Sequence, residues 1–336
     1  MTVVNTAGAV VERPGLAHPS APTTVQYPAL ERVPLGETGF SVTPLILGGA
    51  EFGWNVDAET SHAIIDAFVE RGGNALHTAD TFSAGRSEHI IGQWLRSRSQ
   101  RDEIVLAIRV GGHPDTPGLG SVDLVRAVEA SLTRLQTEYL DVLYVDTAAD
   151  PGCSIEDILA TADWLVDSGK VRALGMVSVT AAHLVEARIL SAAGYPLVSV
   201  LDVPFNVLRQ NEFDADLQLV AQAQRIAVTP SRALEHGFLA GHQRTRIRIG
   251  NLDARAAQMA EHVNKRGHRV LKALDAVGAD LGAPNASVAV AWLLAQSAVT
   301  APIVNAYAVL HIDELMRGAG LSLGRTHLTD IARAAS

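Results

Sequence analysis

The chain has 336 residues and a formal net charge of −9, a length that suits one large α/β domain or two smaller ones and buries roughly three quarters of the unfolded surface. The acidic balance argues against a nucleic-acid or anionic-membrane partner. The single cysteine, Cys153, leaves no intrachain disulfide to form and no call for an oxidising compartment.

Residues 1–28 read as a disordered tail, with Pro14, Pro19 and Pro22 among small residues and no apolar period. No basic start followed by an apolar run is present, so no signal peptide is expected and the cytoplasm is the expected location. Residues 29–336 read as one domain. It opens on a β-hairpin, Arg32 to Gly36 and Phe40 to Pro44 about a Glu37-Thr38-Gly39 turn. Apolar strand candidates follow at Leu45–Leu47, Asn74–Thr78, Ile104–Val110, Asp141–Val145, Ala173–Val177, Val198–Val203, Ile226–Thr229 and Pro302–Val304. Helical patterns fall between them at 59–71, 87–98, 121–136, 154–168, 181–193, 213–224 and 286–296. In the clearest, Ile155, Ile158, Leu159, Ala162, Leu165 and Val166 share one face, Ser154 and Asp157 resemble a capping box, and Gly169 sits at the C-terminal cap position. The interval from Gly237 to Gly282 reads as a loop and one long helix. The longest apolar run, Ala286 to Ala295, is about half a bilayer span, so no membrane segment is expected.

Eight strands alternating with helices, apolar on both faces, predict a (β/α)8 TIM barrel with an N-terminal β-hairpin. The alternative, a doubly wound sheet, would usually carry a phosphate-binding glycine fingerprint after its first strand. Gly48-Gly49-Ala50-Glu51-Phe52-Gly53 matches that fingerprint only loosely. Chemistry in such a barrel sits at the carboxyl ends of the strands. His77, Arg109, Asp146 and Asp202 occupy such ends.

The hairpin with Leu35-Gly36 and Thr38-Gly39, the stretch Asn74 through Glu88, and Ser131 to Leu135 with Tyr139-Leu140-Asp141 form an ordered set of motifs. Gly169 to Gly175, Phe205-Asn206, Gly237 to Gly241 and Ala291 to Leu294 extend it. Together they resemble the aldo-keto reductases, from about residue 30 to 315. The resemblance implies carbonyl reduction with NADPH by an Asp, a Tyr, a Lys and a His at strand ends. Those four positions correspond here to His77, Phe82, Arg109 and Asp146. Phe82 has no proton to give, and a positioned proton donor is worth roughly 10²–10⁴ in rate. Arg109 stays charged and is a poor general acid. The family's Ser-Asn pair and Gln for the nicotinamide correspond to Ser178, Val179 and Asp202, and its Gly-x-Arg near the adenosine phosphate to Asn305-Ala306-Tyr307. Ser178 and Arg232 remain as vestiges of a cofactor site.

These substitutions lead to the expectation of a cofactor-independent acid–base enzyme, a lyase, isomerase or cyclase acting on a small organic molecule in specialised biosynthesis. His77 is the expected proton shuttle, oriented by Asp146 or Asp202, with Arg109 holding an anionic oxygen. Phe52, Trp54, Phe82, Phe205 and the loop residue His113 are the expected substrate wall. No metal is expected, although His77 with Asp146 and Asp202 is a plausible ligand set. The alternatives are an NADPH-dependent carbonyl reductase with unusual residues and a non-catalytic binding or regulatory protein, in which Arg109 and Asp146 form a buried ion pair beside a hydrogen-bonded His77.

Overall fold

The computed structural model describes residues 30–242, 244 and 254–336. The expected tail at 1–28 lies outside them. The hairpin pairs β1 (Val33–Pro34) antiparallel with β2 (Ser41–Val42). Its turn sits hard against the barrel: Gly36 has φ +59°, and a Cβ there would lie 2.3 Å from the Ser199 carbonyl oxygen. Glycine alone meets both demands.

Eight parallel strands follow: β3 (Ile46–Gly48), β4 (Ala75–Ala79), β5 (Val105–Val110), β6 (Leu140–Asp146), β7 (Val171–Val177), β8 (Val198–Asp202), β9 (Ala227–Val228) and β10 (Ile303–Asn305). Their order is β10-β3-β4-β5-β6-β7-β8-β9. A parallel bridge between Val228 and Val299 and a 2.8 Å bond from the Ile303 amide to the Pro230 carbonyl join the two ends. The sheet thus closes on itself as a (β/α)8 barrel.

Helices α1 (Ala58–Glu70), α2 (Arg86–Arg98), α3 (Ser121–Leu135), α4 (Ile155–Asp167), α5 (Ala181–Ala192) and α6 (Ala215–Ala223) each follow a strand. In α4 the Ser154 hydroxyl accepts the Asp157 amide at 3.1 Å, and the apolar stripe of Ile155, Ile158, Leu159, Ala162 and Leu165 is buried. The interval after β9 differs from the single helix expected. It holds α7 (Ala254–Ala260) and α8 (Lys265–Leu281), separated where Asn264 caps α8 by accepting the Gly267 amide at 3.0 Å. Helix α9 (Asn285–Leu294) takes up the apolar run and is buried on nearly every side, so it is a core helix. Among the described residues no single helix is long and apolar enough to cross a membrane. Helices α10 (Val309–Ala319) and α11 (Arg325–Ala335) complete the shell; neither stood out as a pattern in the sequence.

Side chains alternate along a strand, and this divides the core in two. Leu76, Leu106, Leu143 and Leu174 face the helices, while Ala75, Val105, Val142, Ala173 and Val200 point into the barrel with Leu35 and Val42 of the hairpin. The hairpin plugs the amino-terminal end of the barrel, which leaves the carboxyl end open.

Candidate active site

The same alternation carries inward-facing positions up to the carboxyl ends. His77 is two residues beyond Ala75, Arg109 two beyond Ala107, Asp146 two beyond Tyr144, and Asp202 two beyond Val200. These ends border a cavity of about 600 Å³ lined by His77, Arg109 and Asp202.

His77 is 3% exposed, and neither ring nitrogen has a hydrogen-bond partner. Burial, reinforced by the nearby Arg109 charge, pushes its pKa down to about 3, so the imidazole is neutral at physiological pH. Its ring lies edge-on to Tyr144 at 5.6 Å and to Phe82 at 6.2 Å. The Arg109 guanidinium lies 5.4 Å from the centre of the Phe82 ring and 4.0 Å from Asp146 Oδ2. That separation is too long for a hydrogen bond. The expected Arg109–Asp146 ion pair is therefore present, but it is partly exposed rather than buried, and His77 beside it is not hydrogen-bonded. Asp202 accepts the Ser231 amide at 3.2 Å through Oδ1, and its Oδ2 is buried without a partner. Burial raises its pKa to about 6 against the opposing pull of Ser231 and Arg109.

Of the expected wall, Trp54 and Phe82 line the cavity, as do Ser178 and Arg232. The others do not. Phe52 is 1% exposed and packs in the outer core. Phe205 stacks instead on Phe213 and Trp292, with centroids 5.4 and 5.6 Å away. His113 is held in its own loop, where Nδ1 accepts the Asp115 amide at 3.2 Å. Asp146 reaches the site only through Arg109; its Oδ1 accepts the Ala148 amide at 3.2 Å. Sequence reading missed Tyr144, which the same alternation would have placed beneath Asp146. It also missed the pairing of Glu51 with Tyr307, joined across the cavity rim by a 2.9 Å hydrogen bond. Glu51 and Tyr307 lie far apart in the chain, and nothing local marks them.

From this floor the cavity runs to the loop after β9. Arg232, Glu235 and His236 there have φ of 55°, 45° and 57°, left-handed values uncommon outside glycine. Among the described residues the amides of Arg232, Ala233 and Leu234 donate to no acceptor. The loop is pinned from below by Glu235, 1% exposed, whose Oε2 accepts Asn206 Nδ2 at 2.6 Å and Arg209 Nε at 2.7 Å. His262 Nε2 lies 3.2 Å from its other oxygen. Burial alone would raise the Glu235 pKa, but these partners hold it well below the carboxylate range.

The aldo/keto reductase family model matches residues 44–333. The chain belongs to the aldo/keto reductase family. Similar proteins include a norsolorinic acid reductase of Aspergillus flavus, 28% identical over 93% of this chain and 82% of its own length. An oxidoreductase of Bacillus subtilis is 29% identical over 88% of this chain and 93% of its own. An aryl-alcohol dehydrogenase of Pestalotiopsis microspora is 26% identical over 87% and 78%. Relatives of this aldo/keto reductase thus carry the names of oxidoreductases. That overturns the expectation of a cofactor-independent lyase, isomerase or cyclase. It overturns with it the expectation that no cofactor is used. The physical reason for the error is that absence of the proton-donating hydroxyl at Phe82 was read as absence of hydride chemistry, although these are separate tasks of the site.

Proposed function

We propose that this aldo/keto reductase is a nicotinamide-dependent oxidoreductase that interconverts a carbonyl and a hydroxyl group on a small molecule. One observation carries the reading: a single cleft connects His77, Arg109 and Asp202 with the unbonded amides of Arg232, Ala233 and Leu234. Successive amides in a turn that mixes left-handed Arg232 with ordinary backbone make a concavity suited to an anion, here a pyrophosphate. At the other end Asp202 Oδ2 is a buried acceptor without a donor, and a carboxamide N–H fills that role. Ser178, held at φ 60° after β7, offers a hydroxyl nearby in the cleft lining. These residues fit a nicotinamide dinucleotide, NADPH or NADH.

When bound, such a cofactor supplies the hydride. The chain's own residues bind and polarise the carbonyl, and the proton that completes the hydroxyl comes from solvent. Neutral His77 donates an N–H hydrogen bond to the carbonyl oxygen, the role a neutral imidazole plays in polarising a carbonyl elsewhere. Arg109 adds a permanent positive charge to the floor, so negative charge growing on that oxygen is stabilised in a poorly hydrated site. Phe82 and Trp54 flank the substrate with apolar surface and exclude water from it. The names norsolorinic acid reductase and aryl-alcohol dehydrogenase among the relatives point toward aromatic substrates.

The test is a titration of the protein with NADPH and with NADH, followed by cofactor fluorescence, and then assay of reduced-cofactor consumption with a panel of aryl aldehydes and ketones. Binding in the micromolar range with turnover of a panel member is expected. No binding of either dinucleotide at millimolar concentration overturns the reading.

A further inference from the structure

We propose that the floor of the cleft is a carboxylate subsite built on Arg109, so that the compound reduced is an aromatic oxo acid rather than a neutral aldehyde or ketone. The oxidoreductase reading supplies the carbonyl in this statement; the carboxylate rests on Arg109 alone.

An arginine carries five N–H donors. Among the described residues the Arg109 guanidinium makes no hydrogen bond; it pairs with the Asp146 carboxylate at 4.0 Å and lies 5.4 Å from the centre of the Phe82 ring. A guanidinium that lines a cavity with its donors unfilled is matched by a planar, bidentate oxyanion. Asp146 pairs with the guanidinium only at ion-pair distance: its Oδ1 accepts the Ala148 amide, and its Oδ2 stands 4.0 Å from Arg109, beyond hydrogen-bond range. Asp202 does not take it either: its Oδ1 holds Ser231, and its Oδ2 has no partner at all.

The second observation is His77. It is 3% exposed, lines the same cavity, and has two nitrogens without partners. His77 pairs in register with Ala107, two residues before Arg109 on the adjacent strand, and both side chains contact the Phe82 ring. The two residues are diagonal neighbours on adjacent parallel strands and line the same cavity, so the two head groups can address one small molecule. A carbonyl oxygen at His77 and a carboxylate at Arg109 describe an oxo acid in which the two groups are separated by one bond or two. Phe82 and the half-exposed Trp54 leave an aromatic substituent as the natural third element. The Arg232–Leu234 amides are a different anion site on a different loop, so the dinucleotide phosphates do not compete for Arg109.

The experiment compares phenylglyoxylate with the neutral 1-phenylpropane-1,2-dione, which puts a methyl ketone in place of the carboxylate. Affinities for the cofactor-saturated protein are read by calorimetry. Wild-type protein is expected to bind phenylglyoxylate at least tenfold more tightly than the dione. The ratio should collapse toward one in Arg109→Gln and recover in part in Arg109→Lys, which keeps the charge and loses the fork. Equal affinity of the wild-type protein for the two compounds overturns the proposal, whether or not the variants fold. So does a ratio that survives in Arg109→Gln. Failure of the redox reading looks different. There, neither dinucleotide binds, and the same comparison on the cofactor-free protein still decides the carboxylate subsite.

Discussion

His77 and Tyr144 meet edge to face inside the barrel, with ring centroids 5.6 Å apart and planes inclined at 76°. Both are inward-facing residues of neighbouring layers, and only one of them is available for chemistry. The Tyr144 hydroxyl is bound to Thr229 Oγ1 at 2.8 Å, and burial raises its pKa far above the phenol range. Tyr144 therefore does not replace the hydroxyl missing at Phe82. His77 is the polar group left facing the cavity with both nitrogens open.

Burial of His77 and Asp202 sets two opposing pH dependences. His77 has its pKa lowered from 6.5 to about 3, so between these values the unfolded chain binds a proton that the folded one does not. Its contribution to stability is complete above pH 6.5 and lost as pH falls toward 3. Asp202 has its pKa raised from 3.8 to about 6, so in that window the folded chain keeps a proton that the unfolded one has released. Its contribution is present at low pH and lost as pH rises through 6. The two offset each other between about pH 4 and 6. Relative to wild type, His77→Gln is expected to lose stability as pH rises across this window, and Asp202→Asn to gain it, each by roughly 1 kcal/mol per pH unit. Urea unfolding at pH 4, 5, 6 and 7 measures both slopes. Parallel curves for the three proteins would exclude the assigned burial.

Glu235 holds the loop after β9 in its left-handed conformation. Its removal leaves Arg209 and Asn206 without their buried acceptor, and breaking a buried charged pair from one side costs about 3–5 kcal/mol. Arg209 retains a second carboxylate, Glu212 at 2.6 Å, which places the expected cost of Glu235→Ala at the lower end, about 3 kcal/mol. Dinucleotide affinity should fall by at least about tenfold as well, because the Arg232–Leu234 amides lose their fixed geometry. Glu235→Gln keeps one acceptor and should lie between. Chemical denaturation and cofactor titration read the two effects separately, and a destabilised variant with wild-type cofactor affinity would detach this loop from the site.

The barrel was legible in the sequence because parallel strands covered on both faces leave uninterrupted apolar runs, as at Val105–Val110 and Leu140–Asp146. Strand alternation then made Arg109 and Asp202 readable as inward groups. Of the aromatic wall residues, Trp54 and Phe82 line the cavity as read and two others do not. Phe52 and Phe205 lie in loops beyond strand ends, where no period fixes direction, and both turned into core packing. The loop after β9 was legible only through Arg232; its left-handed backbone at Arg232, Glu235 and His236 runs against residue preference, and the buried Glu235 pins it from below. The chemistry was misread at the tetrad positions, Phe82 among them, because loss of a proton donor and loss of hydride transfer are separate matters.

Gly175 makes room for Tyr144. A Cβ at 175 would lie 2.7 Å from Tyr144 Cδ1 and 2.8 Å from Cε1. The ring is fully buried and anchored through its hydroxyl, so it has no easy retreat. Gly175→Ala is expected to cost about 1–3 kcal/mol of overpacking strain and to shift the imidazole that leans on that ring. Adding Tyr144→Leu should recover most of the loss, since it removes the obstructing atoms. A double-mutant cycle on unfolding free energies measures the coupling, and additive effects would show that the two residues do not press on each other.

Restoring a hydroxyl at position 82 tests what the phenylalanine costs. The Phe82 ring lines the cleft, has Arg109 over it at 5.4 Å and His77 at its edge at 6.2 Å. A phenol there sits beside a fixed positive charge, which lowers its pKa and makes it a better proton donor. A positioned general acid contributes roughly 10²–10⁴ in rate, but the neutral His77 N–H already supplies part of the stabilisation of the oxygen. Phe82→Tyr is therefore expected to raise kcat for an aryl carbonyl compound by about tenfold or more, with dinucleotide affinity unchanged. Steady-state rates with saturating cofactor, taken from pH 6 to 9, report both the gain and the titration of the new hydroxyl. An unchanged kcat across that range would mean that the para position of the ring does not reach the carbonyl oxygen and that His77 polarises that oxygen without help from position 82.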